Sequence, residues 1–316
     1  MHTQRALFNL LGCTLLACAP PSTPPDTYAD NADDKASGIV QDSLWTPIRR
    51  VFKADGETGD GYFRVNLPRE DLRVRIGADT LSPEFEFTSY LGFGLARGGN
   101  VFVVGEVILR QDEVAAAMSE AVRQNIGVTA LHNHLIGEEP RIIYMHVHSE
   151  GLPESLATRL RAVFSKTGTP LPPSEREEPV RADWTAIDAV LGKHSEAEGS
   201  VAEWEFARKE SHTIGGIAVK SSGLLETASE VVFQQLDRGR VANTGELYVL
   251  PQEVEPVVTT FQSGGIEVTA IHSHMINEQP VMYWIHWYTA GDGPTIARIV
   301  AAALSRTNSE QKSSGK

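Results

Sequence analysis

The chain has 316 residues, 41% hydrophobic and 22% charged, with a formal net charge of −13; this is a globular composition, long enough for two domains. An acidic surface repels phosphate backbones, which argues against nucleic acid as a partner and against a nuclease reading of His132-Asn133-His134. The only cysteines are Cys13 and Cys18, so the body of the chain has no disulfide and no thiolate to offer a metal or a substrate.

Residues 1–18 read as an export signal. Arg5 supplies a basic start, and ALFNLLGCTLLA is an apolar run of about 12 residues, too short to span a bilayer. It ends in Leu15-Leu16-Ala17-Cys18, which resembles a bacterial lipobox, where cleavage leaves a lipid-modified cysteine. Leu10-Leu11-Gly12-Cys13 is a competing match with a shorter apolar run, and a plain secretory cut near Ala17 or Ala19 is the alternative. The expectation is an exported protein of the bacterial cell envelope, extracytoplasmic and anchored to a membrane by lipid on Cys18. Residues 19–42, rich in proline and acid, read as a disordered tether.

Two similar halves follow: a repeat domain at 43–166, a proline-rich linker at 167–183, a second repeat domain at 184–307 and a frayed tail at 308–316. Each half opens on an amphipathic helical spacing, Trp45, Ile48, Val51 and Phe52 in one, Trp184, Ile187 and Leu191 in the other. FRVNL, LRVRI and VFVVGEVIL read as strands, with weaker counterparts in WEFAR and GGIAV. DEVAAAMSEAVRQN reads as a helix; its counterpart carries Pro256, placed as the first helical residue, with a stop at Gly264-Gly265. The closing helices place Leu156, Leu160, Val163 and Phe164, then Ile296, Ile299, Val300, Ala303 and Leu304, on one face. From 105 to 167 the chain aligns without gaps on 245–307, with roughly 19 of 63 positions identical. The fold class is α+β: two tandem repeats, each a mainly antiparallel sheet with a histidine-bearing hairpin and flanking helices.

Between strand and closing helix lie ALHNHLIGEEPRIIYMHVH, 130–148, and AIHSHMINEQPVMYWIHWY, 270–288. Residues two apart in a strand share a face, so His132 and His134 point together, as do His146 and His148. A fold-back about Pro140 sets His134 opposite His146 and His132 opposite His148; in the second half it sets His274 opposite His286 and His272 opposite Tyr288. The repeated set, His132, His134, Glu138 and His146 against His272, His274, Glu278 and His286, is a candidate metal-ligand set. Glu138 would ligate the ion or act as a base, and His148, unrepeated, would serve catalysis in the first half alone. Zinc, manganese and iron all suit imidazole and carboxylate donors. A metal-free histidine acid–base cluster and simple surface polarity are the alternatives. Glu106 and Glu246, on the strand before each hairpin, either orient an imidazole or are solvated strand acids. Arg69, Glu70 and Asp71, matched by Arg208, Lys209 and Glu210, read as an anion-binding cluster or a surface ion pair.

The string H-x-H-x-x-x-E resembles the first motif of cupins, which bind iron, manganese, nickel or zinc with three histidines and a glutamate. V-T-A-L-H-N-H at 128–134, E-E-P-R at 138–141 and Met145-His146, echoed by V-T-A-I-H-S-H at 268–274, Glu278, Pro280 and His286, make the chain resemble the LppY/LpqO family of bacterial lipoproteins. That resemblance implies export and a duplicated domain, and no reaction. The functional expectation is an exported metalloprotein, a metal-dependent hydrolase or cupin-like enzyme acting on a small molecule, with a non-catalytic metal- or ligand-binding lipoprotein as the alternative. The sequence is compatible with one shared cleft or with two.

Overall fold

The structure, a computed structural model, describes residues 34–174 and 179–310. The expected signal segment, Cys18 and the end of the tail lie outside the described residues. In the first half the elements are α1 (Asp34–Phe52), β1 (Glu57–Gly59), β2 (Tyr62–Pro68), β3 (Val74–Ile76), β4 (Asp79–Leu81) and α2 (Pro83–Glu86). They continue with β5 (Thr88–Leu95), β6 (Val101–Arg110), α3 (Val114–Arg123), β7 (Gly127–His132), β8 (Glu138–Glu139), β9 (Ile142–Gly151) and α4 (Pro153–Phe164). The second half repeats the plan: α5 (Thr185–Leu191), β10 (Glu196–Glu198), β11 (Val201–Ala207), β12 (His212–Ile214), β13 (Ile217–Val219) and β14 (Ala228–Gln235). It closes with β15 (Val241–Val249), α6 (Pro251–Ser263), β16 (Glu267–His272), β17 (Glu278–Gln279), β18 (Tyr283–Gly291) and α7 (Gly293–Leu304).

Each half builds a six-stranded antiparallel sheet, β1-β2-β5-β6-β9-β7 and β10-β11-β14-β15-β18-β16, and a small sheet, β4-β3-β8 and β13-β12-β17. Alternation decides the layering. Phe63, Val65, Leu91, Phe93, Met145 and Val147 face Trp45, Leu156 and Leu160 of the helices. Trp204, Phe233, Leu247 and Trp287 do the same against Ile187, Phe261 and Val300. The opposite faces of the sheets meet each other: Phe85, Ile108 and Tyr144 pack with Val232 and Ala242, and Tyr62, Phe102 and Val104 with Ile214, Leu225 and Met275. The order of layers is helix, sheet, sheet, helix. Polar contacts lock the two halves, among them Ser82 N to Gln234 Oε1 at 2.8 Å and Lys220 N to Tyr62 Oη at 2.7 Å.

Several boundaries differ from the sequence reading. Helix α1 begins at Asp34, inside the stretch expected as tether. The linker's start and the tail's start are packed: Gly168 N donates to Glu113 Oε1 at 2.8 Å and Glu310 N to Ala207 O at 2.7 Å. Helix α6 starts at Pro251, not Pro256, because Leu250 caps it with Glu253 Oε2 accepting from Leu250 N at 2.8 Å; Pro256 sits inside, where it costs a backbone hydrogen bond. Arg69 and Arg208 are neither surface ion pairs nor an anion site. Each is fully buried, gripping Asp71 and Glu113, or Glu210 and Glu253, while donating to a carbonyl of the central strand: Ile108 O at 2.6 Å and Tyr248 O at 3.0 Å.

Candidate metal centre

The hairpin forms, in a different register. Ala130 pairs with His146, His132 with Tyr144 and Gly127 with His148; the second half repeats this with Ala270 and His286, and His272 and Trp284. The expected pairings, His134 with His146 and His132 with His148, slip by four residues. The cause is β8: Glu138 and Glu139 leave the hairpin to pair with Ile76 and Arg75 of β3, so residues 133–141 form a wide loop instead of a tight turn at Pro140. An even slip preserves the faces. His146 therefore still faces the other sheet, and the loops carry His134 and His274 inward.

There the histidines of the two halves meet. His132 stacks on His272 with ring centroids 3.5 Å apart, His134 on His286 at 3.7 Å and His146 on His274 at 3.6 Å. Tyr144 covers His134 at 3.6 Å and Trp284 covers His274 at 3.8 Å. The arrangement has the symmetry of the 140-residue repeat, each pair joining one position to its counterpart or to its counterpart's neighbour. His132, His134, His146 and His274 bring donor atoms within 4.8 Å of one another, as do His134, His272, His274 and His286. The sets share His134 and His274 and form one continuous centre.

Carboxylates surround it, supplied by other elements than expected. Glu106 lies across from His146 on β6, with its Oε2 3.0 Å from His146 Nε2 and 3.4 Å from His134 Nε2. Glu246 stands in the same place beside His286, at 3.9 Å. Both follow a glycine for a steric reason: a Cβ on Gly105 would lie 2.7 Å from Tyr90 O, and one on Gly245, at φ +150°, 2.3 Å from Glu230 O. Glu86, at the end of α2, accepts from His134 Nδ1 at 2.6 Å. Its counterpart Glu226 joins Glu246 and His274 in a third group within the same 4.8 Å.

Burial governs the protonation of all of them. It pushes His132 and His272 down to about 2, with neighbouring rings adding to the effect, and His146 down to about 3. His134, His274 and His286 are also held well below the usual imidazole range. The same burial raises Glu106 and Glu226 to about 8 and lifts Glu86 and Glu246 well above ordinary carboxyl values. Among the described residues, both ring nitrogens of His146, His272, His274 and His286 lack a hydrogen-bond partner, as does Nε2 of His132 and of His134. Buried polar atoms left this way cost about 1–3 kcal/mol each. A cation coordinated by neutral imidazoles satisfies them, so the donor set fits a transition metal.

Three of the expected site residues stand elsewhere. Glu138 is buried, but its Oε1 accepts from Ile142 N at 3.2 Å and from Arg141 Nη1 at 3.4 Å, and it joins no ligand group. Glu278 accepts from the Tyr248 hydroxyl, and burial raises it to about 7. Both are paired in the small sheets, and neither joins a ligand group among the described residues. His148 faces Gly215 of the other half, where an added Cβ would lie 3.7 Å from its Cε1, and it joins no ligand group among the described residues. The sequence reading missed Glu86 and Glu226. The signal was the constant offset, since Glu86 and Ser89 recur as Glu226 and Ser229. Those serines accept from Ile108 N and Tyr248 N at 2.9 and 3.0 Å and fix the strand that carries each Gly-Glu pair.

A family model described as Domain of Unknown Function (DUF1259) matches residues 46–166 and 185–306, which are the two repeats. No curated protein gives a significant match. Among solved structures, the crystal structure of a trimeric bacterial microcompartment shell protein, PduB, is 12% identical, covering 81% of this chain and 96% of that one; its TM-score of 0.20 carries no argument.

Proposed function

The chain belongs to the family described as Domain of Unknown Function (DUF1259), and on that premise we propose that it is a transition-metal-binding protein whose centre is assembled by both halves. One observation carries this reading: six histidines from two repeats stack within one buried cluster, with ring nitrogens that no protein atom satisfies. His132, His134, His146, His272, His274 and His286 would hold the ion, with Glu106, Glu246, Glu86 and Glu226 beside them. Imidazole with carboxylate suits zinc, iron or manganese. The test is elemental analysis of the mature protein, purified without a histidine tag. Stoichiometric metal is expected in the wild type, and its loss in both His132→Ala/His134→Ala and His272→Ala/His274→Ala. Metal retained in full by both variants would refute the shared centre.

A second reading, a metal-dependent hydrolase or cupin-like enzyme, is favoured by a cavity of about 850 Å³ that reaches His134 from outside. Bound there, a metal would supply Lewis-acid chemistry to a small molecule in that cavity. The chain's own residues would hold the substrate, exclude water with Tyr144 and Trp284, and take a proton at Glu106. The motifs shared with the LppY/LpqO lipoproteins support export, and the pattern at 1–18 supports lipid attachment at Cys18. Cys18→Ser is expected to move the protein from the membrane fraction to the soluble one; unchanged partitioning would remove that residue as the anchor.

A further inference from the structure

The cavity between the sheets has an uneven wall. Its lining includes twelve carboxylates and a single arginine, Arg64. That arginine is already committed, to partners in both halves. Its guanidinium lies 4.1 Å over the Tyr90 ring and donates to Asn66 Oδ1 at 2.7 Å, to Gly223 O at 2.6 Å and to Glu226 at 3.3 Å. The second-half side places Glu203 on β11 and Glu230 on β14, and neither has an ion pair or hydrogen bond among the described residues. Arg64 reaches from β2 to Gly223 and Glu226 of the second half, so the protein itself shows how this space holds an organic cation, while Glu203 and Glu230 keep no direct partner among the described residues.

The acids on the second wall form a row. Glu196 pairs with Glu203 across β10 and β11, Glu230 with Glu246 across β14 and β15, and Glu246 with His286 on β18. Glu203 pairs with Val232 and lies diagonal to Glu230, about 7–8 Å away, whereas Glu230 and Glu246 are direct partners about 4.5–5.5 Å apart, so the carboxylates step obliquely across the sheet toward the histidines. An independent sign of a ligand is Glu246: it is 7% exposed, its Oε1 has no hydrogen-bond partner, and it lines the cavity. The volume, about 850 Å³, is that of a small-molecule site and far exceeds one ion.

We propose that this vestibule binds a linear aliphatic polyamine, with successive ammonium groups on Glu203, Glu230 and Glu246. Carboxylates stepped over three neighbouring strands match amines separated by three or four methylenes, whereas a divalent cation needs its oxygens converged on one point. The methylenes lie against the apolar wall at Ala197 and Val201. The ammonium groups on Glu203 and Glu230 need no ion at the histidines; Glu246 is common to both sites.

The test is calorimetric titration of the mature full-length protein, with and without chelator, using butylamine, putrescine and spermidine in turn. Affinity is expected to rise about tenfold with each added amine and to fall by about tenfold or more in Glu203→Gln/Glu230→Gln. The chain-length series needs only wild-type protein, so it stands even if the variant fails to fold. Spermidine binding no tighter than butylamine, a folded variant that binds like wild type, or Mg²⁺ occupying the same carboxylates more tightly than spermidine would each overturn the proposal. Spermidine binding by a protein that takes up no transition metal would leave this inference intact and remove the metal reading; the reverse result would do the opposite.

Discussion

Glu278 is a carboxyl kept from water with one phenol as partner, and that makes it a titration marker inside the fold. Burial raises it to about 7, with the Tyr248 hydrogen bond acting in the other direction, from an ordinary value of 4.5. Between those values the unfolded chain releases a proton that the folded chain keeps. The stability contribution is complete below pH 4.5 and is lost as pH rises through 7. At about 1.4 kcal/mol per unit the loss amounts to about 3 kcal/mol. Glu278→Gln keeps an acceptor for the Tyr248 hydroxyl and does not titrate. Denaturant unfolding between pH 4.5 and 8, in chelator, is expected to show the variant gaining that amount on the wild type; parallel profiles would show that the carboxyl is in contact with water. The sequence reading had placed this residue on a metal. The string H-x-H-x-x-x-E drew attention to the histidines, and His132 and His146 do share one face of the sheet. It could not show that Glu138 and Glu278 are drawn off by a second, three-stranded sheet.

At the scale of elements, alternation and helical spacing were legible, and connections were not. The strands around Phe63, Val103 and Leu109 and the closing helices follow from local pattern, since each buries one face against a neighbour next to it in sequence. The hairpin register depends on a partner from a distant segment. Strand β3, about 60 residues upstream, captures Glu138 and opens the turn, and a bulge between Val128 and Ala130 adjusts the pairing again. Helix α6 shows the same limit. Pro256 looked like a first residue because proline is tolerated there, yet the cap formed by Leu250 and Glu253 carries the start five residues earlier. Glu253 is held in that cap by the buried Arg208, an interaction between residues far apart in sequence. Only the recurrence of Arg69 with Glu113 and of Arg208 with Glu253 hinted at it.

Duplication on the scale of the whole molecule does more than supply two copies of a site. Either hairpin alone presents three histidines to the centre; the face-to-face sheets add three more and enclose all six between two layers, among buried carboxylates and apolar side chains. An ion held by both sets therefore joins the halves, and its binding free energy acts on the assembled molecule. At free metal one hundred times Kd the added stability is about 2.7 kcal/mol, equivalent to roughly 5 °C in Tm for a chain of this size. Calorimetry is expected to show a single transition that rises on loading and falls on chelation, with no response in His272→Ala/His274→Ala although its first-half histidines are intact. If the centre belonged to the first half alone, that variant would keep the full shift, and only part of the unfolding enthalpy would move with the metal. The stacked pairs His132–His272 and His146–His274 predict the concerted result, because both four-histidine sets draw on both halves.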